Sequence, residues 1–167
     1  MELRSIEPFL DFWEKVRGRT LRLVRTIPPD KLEWTYQPGK FTLGDLCRHL
    51  ATVERYTWAE LVQGKPNRYP GCERQLADGL DHVVAFMDRL HQESMEIFSR
   101  LTPEQLAAKC PTPEGTPITA WKALRLMVEH EIHHRGEMYV YLGMLGVKTP
   151  PLYGMTSEEL RERAAKA

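Results

Sequence analysis

Apolar residues recur along this chain at three- and four-residue steps, in four long runs separated by stretches rich in proline and glycine. That period is helical. The first run spans about Ile6 to Ile27, with Phe9, Trp13, Val16, Thr20 and Val24 at helical spacing. "IPPDKLEWTYQPGKF" interrupts it, because proline removes a donor and fixes φ. The second begins at Thr42, where "TLGD" sets a carboxylate three residues after a hydroxyl, an aspartate form of the capping box. Leu43, Leu46, Leu50, Val53, Thr57 and Leu61 carry its stripe, and "GKPNRYPG" ends it. The third, roughly Leu76 to Leu101, places Leu80, Val84, Met87, His91, Ser94, Phe98 and Leu101 on alternating steps, which is bundle packing. The fourth runs from about Thr119 to Leu145 and stops at Gly146, ahead of "KTPP". "TPEQLAAK" reads as a short capped helix in the loop before it, and "MTSEEL" opens a last, peripheral helix. Strand signals, alternating β-branched residues with Asn-Gly or Asp-Gly turns, are missing. The expected fold class is therefore all-α: an antiparallel four-helix bundle forming a single domain over residues 1–167, with short extra helices before the fourth long helix and at the C-terminus. The connection between the first two helices is long enough for something other than a tight up-down hairpin.

Composition narrows the function classes. Basic and acidic residues balance at 23 each, which argues against nucleic acid or an acidic membrane as partner. The opening "MELRSIEPFLDFWEKVRGRT" carries charges every few residues, unlike a secretory signal. No apolar run approaches the ~20 residues of a spanning helix. A soluble, cytoplasmic protein is expected. The three cysteines, Cys47, Cys72 and Cys110, are widely spaced and lack a CxxC pair, so they read as free thiols rather than a disulfide framework or a zinc site.

Chemistry enters through "VEHEIHHRGEMYVYLGMLGV" (Val128 to Val147) in the fourth helix. Each helical residue turns about 100°, so His134 lies only ~40° from His130, one turn further along. Ala123, Leu126, Met127, Tyr141 and Leu145 fall within about 60° of the same face, which sets the pair inside the expected core stripe. His133 lies on the other flank. An i, i+4 pair offers two imidazoles to one metal. "HEIHH" superficially matches the HExxH zinc peptidases, but Glu131 lies ~100° from His130 and no downstream third ligand follows. A third imidazole must then come from another helix. His49, between Leu46 and Val53, faces inward near mid-length; taken alone it is more often a buried, hydrogen-bonded histidine than a ligand, and the inward pair opposite reverses that order. His91 occupies a core slot as either a further ligand or a buried, bonded residue, and His82 reads as surface. Three neutral imidazoles leave positions on a divalent ion open for water or substrate and keep that ion electrophilic. Imidazole donors favour zinc or nickel, with iron and manganese also compatible.

"VEHEIHHRGEMYVYLGMLGV" together with "LGDLCRHLATVE" resembles the DinB/YfiT-like family of metal-dependent four-helix-bundle proteins, over nearly the whole chain from Phe9 to about Tyr153. The resemblance implies that one histidine of the second helix and an HxxxH pair of the last long helix bind a divalent ion: His49, His130 and His134. Many members carry glutamine after "HRG", where this chain has Glu137, one turn beyond His134. Glu137 reads as an acceptor for an imidazole N–H or as a catalytic base. Some relatives transfer or isomerise with low-molecular-weight thiols such as mycothiol or bacillithiol.

The expectation is thus a divalent-metal-binding protein with an open three-histidine site, acting as a metal-dependent thiol S-transferase or as a hydrolase. Its partners would be a small-molecule thiol or electrophile. The alternative is a non-catalytic metal-binding bundle protein. Trp121, Val128, Ile132 and Tyr139, nearly opposite the histidines, form a second apolar stripe that predicts packing against a neighbouring subunit, as a homodimer, or against the chain's own terminal segment.

Overall fold

A computed structural model describes residues 2–112 and 114–166. Helix α1 (Glu7–Val24) is followed by α2 (Leu43–Val53), which continues through a π-helical turn (Glu54–Trp58) into α3 (Ala59–Leu61). Then come α4 (Leu80–Phe98), the short α5 (Pro103–Ala107), strands β1 (Lys109–Pro111) and β2 (Pro117–Thr119), α6 (Ala120–Met144) and α7 (Ser157–Ala165). The capping box at the start of α2 is present in both directions, Thr42 with Asp45. The same device starts α5 and α7, and no α7 residue is buried.

The four long segments form a four-helix bundle. Helix α2 packs against α4 and α6, and α1 against the same two, so the first two long helices lie across a diagonal. No described helix is long and apolar enough to cross a membrane.

Three features depart from the sequence pattern. First, β1 and β2 pair antiparallel with Cys110 opposite Ile118. Three-residue strands are too short to display an alternation. The hairpin is held by its turn, where the Thr112 N–H donates to the Thr116 carbonyl. Second, α4 starts at Leu80 rather than near Leu76, because Gly79 takes a positive φ of 85° that breaks the run.

Third, the buried stripe of α6 passes through Leu124, Met127, Glu131, Arg135, Met138 and Leu142, not through the histidines. His130 and His134 lie at its edge, half-buried, while Leu126 is exposed. Glu131 and Arg135 are apparent surface residues that belong to a polar layer across the bundle's waist. One apolar cluster, around Trp13, Phe98 and Leu124, fills one end, and a second, around Leu23, Leu46, Met87 and Met138, fills the other. Between them lie Arg17, Glu54, His91, Glu131 and Arg135, all buried. Glu54 accepts hydrogen bonds from the Trp13 indole at 2.8 Å and from Arg17, and pairs with His91 Nδ1 at 2.8 Å. Arg17 also faces Glu131 at 3.4 Å, and Arg135 donates to the Val16 carbonyl. The π turn begins at Glu54, and its extra residue per turn lets the carboxylate enter this layer.

Of the second apolar stripe on α6, Val128 is buried. Tyr139 is half-buried and donates from its hydroxyl to the Pro150 carbonyl, so the segment after α6 covers that end, while Ile132 stays exposed.

Candidate metal centre

His49 sits on the second turn of α2, immediately after Arg48, whose guanidinium is fully buried. Arg48 donates to Glu33 at 2.9 Å, Asp45 at 2.8 Å, and the carbonyls of Cys72 and Ala77 at 2.7 and 3.1 Å. It therefore ties the loop before α2 and the loop after α3 to the helix beneath His49. Gly44 makes that clamp fit: a Cβ there would lie 2.8 Å from Glu33 Oε1 and 2.9 Å from Arg48 Nη2. The two loops bring Phe41 and Tyr69 against His49, with ring centroids at 5.2 and 5.6 Å.

The side chains of His49, His130 and His134 meet. Their ring centroids lie 5.0 Å (His49 to His130), 4.8 Å (His49 to His134) and 4.5 Å (His130 to His134) apart, and one nitrogen from each falls within 4.8 Å of the others. His49 Nε2 and His130 Nε2 are 3.0 Å apart. Two nitrogens on one tetrahedral zinc, at bond lengths of about 2.0–2.1 Å, stand about 3.3 Å apart. Two of the three outward nitrogens are occupied: His49 Nδ1 meets the Tyr69 hydroxyl at 2.8 Å, and His134 Nδ1 meets Glu137 Oε2 at 2.5 Å. Such partners fix the tautomer and leave Nε2 free to face an ion.

Electrostatics agree with a ligand role. Burial, then the neighbouring His134, pushes His49 down to about 4; burial, then His134 and His49, pushes His130 down to about 3. Both rings are neutral near pH 7, the form that binds metal. Three imidazole donors, with His49 and His130 held neutral, fit a borderline divalent ion.

His91 is elsewhere, in the waist layer between Glu54 and Glu14, and its two ring nitrogens are spent on those carboxylates. It is not part of the cluster. Burial alone would lower its pKa, but the bond to Glu54 outweighs that and raises it. His82 is exposed and meets only the Asp78 carbonyl. His133 is exposed, with Nε2 3.6 Å from Glu137 Oε1. Tyr69 and Phe41 were not legible as site residues: "NRYPG" and "PGKF" read as turns, and only the Arg48 clamp brings them in.

Beside the cluster opens a cleft of about 600 Å³, between the loop before α2 and the C-terminal half of α6, whose lining includes Tyr36, Lys40, Phe41, His134, Glu137 and Tyr141. An ion at the three rings would face accessible space on the His134 side.

A model of the DinB superfamily matches residues 13–138. YjoA of Bacillus subtilis, a protein without an assigned function, is 24% identical over 141 residues, 82% of this chain and 88% of that one. Its crystal structure superposes with a TM-score of 0.73 at 22% identity, covering 89% of this chain and 99% of that one. YfiT of Bacillus subtilis, described as a "probable metal-dependent hydrolase with an unusual four-helix bundle topology", gives 0.70 at 18% identity over 89% of this chain and 91% of that one. A mycothiol-dependent maleylpyruvate isomerase gives 0.66 at 12% identity, over 80% of this chain and 60% of that one. At these identities the likeness is one of fold.

Proposed function

The chain belongs to the DinB superfamily, and from that premise we propose that it binds a divalent metal ion through His49, His130 and His134 and acts as a metal-dependent enzyme, a thiol S-transferase or a hydrolase. The observation that carries the reading is the 3.0 Å approach of two neutral imidazole nitrogens, with His134 completing the set. Zinc or nickel suits three imidazoles best, and iron or manganese is compatible. A divalent ion held there lowers the pKa of a bound thiol or water and so supplies a nucleophile near neutral pH.

The protein's own groups would do the rest. Tyr69 and Glu137 hold the rings of His49 and His134 in orientation through their outward nitrogens. Glu137 also lines the cleft, where its carboxylate would accept the proton that a thiol or water gives up. Phe41 stands beside the histidines, its ring 5.2 Å from that of His49 and 6.3 Å from that of His134. The relatives lend support of two kinds: the isomerase works with mycothiol, and YfiT is described as a hydrolase.

The test begins with elemental analysis of protein purified without a nickel column, expecting about one divalent ion per chain. Metal-loaded protein is then assayed with cofactor thiols plus electrophiles and with activated esters and amides. No turnover above metal-free protein would leave the second reading, a non-catalytic metal-binding bundle, which is favoured by the meeting of rings from α2 and α6, where an ion would join the two helices. A homodimer also belongs to this proposal, supported by the exposed Ile132 on the second apolar stripe of α6. Sedimentation at micromolar concentration should give twice the chain mass, and Ile132→Glu should return it to monomer.

A further inference from the structure

We propose that the cleft beside His134 takes a small monoanionic molecule with an aromatic or aliphatic body, its anionic group held by Lys40. The inference rests on the metal-site reading only for which end of the ligand reacts. Its own basis is the lining. A volume of about 600 Å³ falls in the range of small-molecule sites, roughly 300–1,000 Å³. Most of the wall is apolar side chains left accessible: Tyr36, Phe41, Val140 and Met144 are all exposed around one opening. Apolar groups gathered at one mouth beside polar chemistry mark a binding groove rather than scattered surface.

The cleft also has a rigid aromatic floor. Tyr141 is buried there, with Trp34 at 5.7 Å and Tyr36 at 5.4 Å, both edge-on. A ring or short chain laid on it would replace water against Tyr36 and Met144. Charge then sets which molecule. His134 and Glu137 are engaged with each other at 2.5 Å, and His133 is 3.6 Å from the second Glu137 oxygen. Those pairs leave out Lys40, the other charged residue of the lining. Left without an ion pair among the described residues, this flexible ammonium at the rim reads a carboxylate or sulfonate as a point charge, without demanding a bidentate fit. A ligand anchored at Lys40 and lying on Tyr141 would share the cleft with His134.

Phenylacetate and its neutral counterpart phenylacetamide separate these contributions. Amide chemical-shift titrations should move signals of residues 36–41 and 140–144. Phenylacetate should bind about fivefold more tightly than the amide, on zinc-loaded and on chelated protein alike. Lys40→Gln, a change at an exposed residue, should abolish that preference while leaving zinc uptake and phenylacetamide binding as they were. The proposal is overturned by absence of shifts in those segments, by equal binding of the two probes, or by a preference that survives Lys40→Gln, which would assign the anion to the metal. A protein that takes up no zinc would sink the metal reading alone, because the comparison on chelated protein still decides this one.

Discussion

A histidine becomes a good metal ligand when its remote nitrogen is held and its ring is kept neutral; here Tyr69 and Glu137 supply the first for His49 and His134, and burial leads the second for His49 and His130. Glu137 holds His134 Nδ1. Glu137→Ala should lower zinc affinity about 10- to 100-fold, measured by competition with a chromophoric chelator. Glu137→Gln, whose carbonyl can still accept the bond, should lose less affinity. If Glu137 is also the base, the glutamine variant loses its turnover with little loss of metal. Protonation gives a second prediction. His49 and His130 titrate in the folded protein near 4 and 3, below the ordinary value of about 6.5. Between those limits the unfolded chain binds more protons than the folded one. The stability of metal-free protein therefore falls as pH drops from about 7 to 4. Replacing His49 and His130 by glutamine should flatten the part of that dependence they cause, seen as a smaller loss of melting temperature between pH 7 and pH 4.5 than in the parent.

At the scale of elements, the bundle is held by two arrangements of charge that hydropathy does not reveal. One is the Arg48 clamp; the other is the waist layer, where Glu54 gathers Trp13, Arg17 and His91. Glu54→Ala would leave Arg17 buried without its main partner, a change that costs about 3–5 kcal/mol and should lower the melting temperature without altering the order of the helices. Gly44→Ala should push Glu33 and Arg48 apart and loosen both loops, read as faster amide exchange around residues 33–41 and 69–73. These arrangements also explain what could be read beforehand. The long helices, the cap of α2 and the HxxxH pair follow from local spacing: Thr42 with Asp45 marks the start of α2, and four residues separate His130 from His134; His49 was legible only beside that pair and through the family resemblance. Glu54, Glu131 and Arg135 look like surface charges in a linear chain, because their partners lie 37 and more residues away or on another helix. The α6 stripe was accordingly expected on the histidine side, one flank away from where it runs. His91 had the right spacing for the core, but which carboxylate would claim its nitrogens could not be known without α1 and the π turn. Tyr69 became a site residue only through a loop held by Arg48.

For the molecule as a whole, the candidate site joins segments 81 residues apart in sequence, with His49 on α2 and His130 on α6. An ion that binds this constellation and not the unfolded chain adds to global stability by mass action. At a free concentration one hundred times the dissociation constant the gain is about 2.7 kcal/mol, or roughly 5–10 °C in a chain of this size. Zinc should therefore raise the melting temperature by about that amount, and a chelator should reverse it. In His130→Gln the shift should shrink to near zero. In Lys40→Gln it should persist in full, because Lys40 lines the cleft and not the three-ring cluster. The two functional readings separate in the presence of a thiol. If a coordination position is open, excess thiol enters it, changes the spectrum of a cobalt-substituted sample through a sulfur-to-metal charge-transfer band, and leaves the ion in place. If the three rings instead serve a closed structural site, thiol produces no such band and at high concentration strips the metal, with the melting temperature falling to the chelated value. Cobalt spectra and melting curves recorded on one sample across a thiol titration thus decide whether the joint between α2 and α6 is a staple or a working centre.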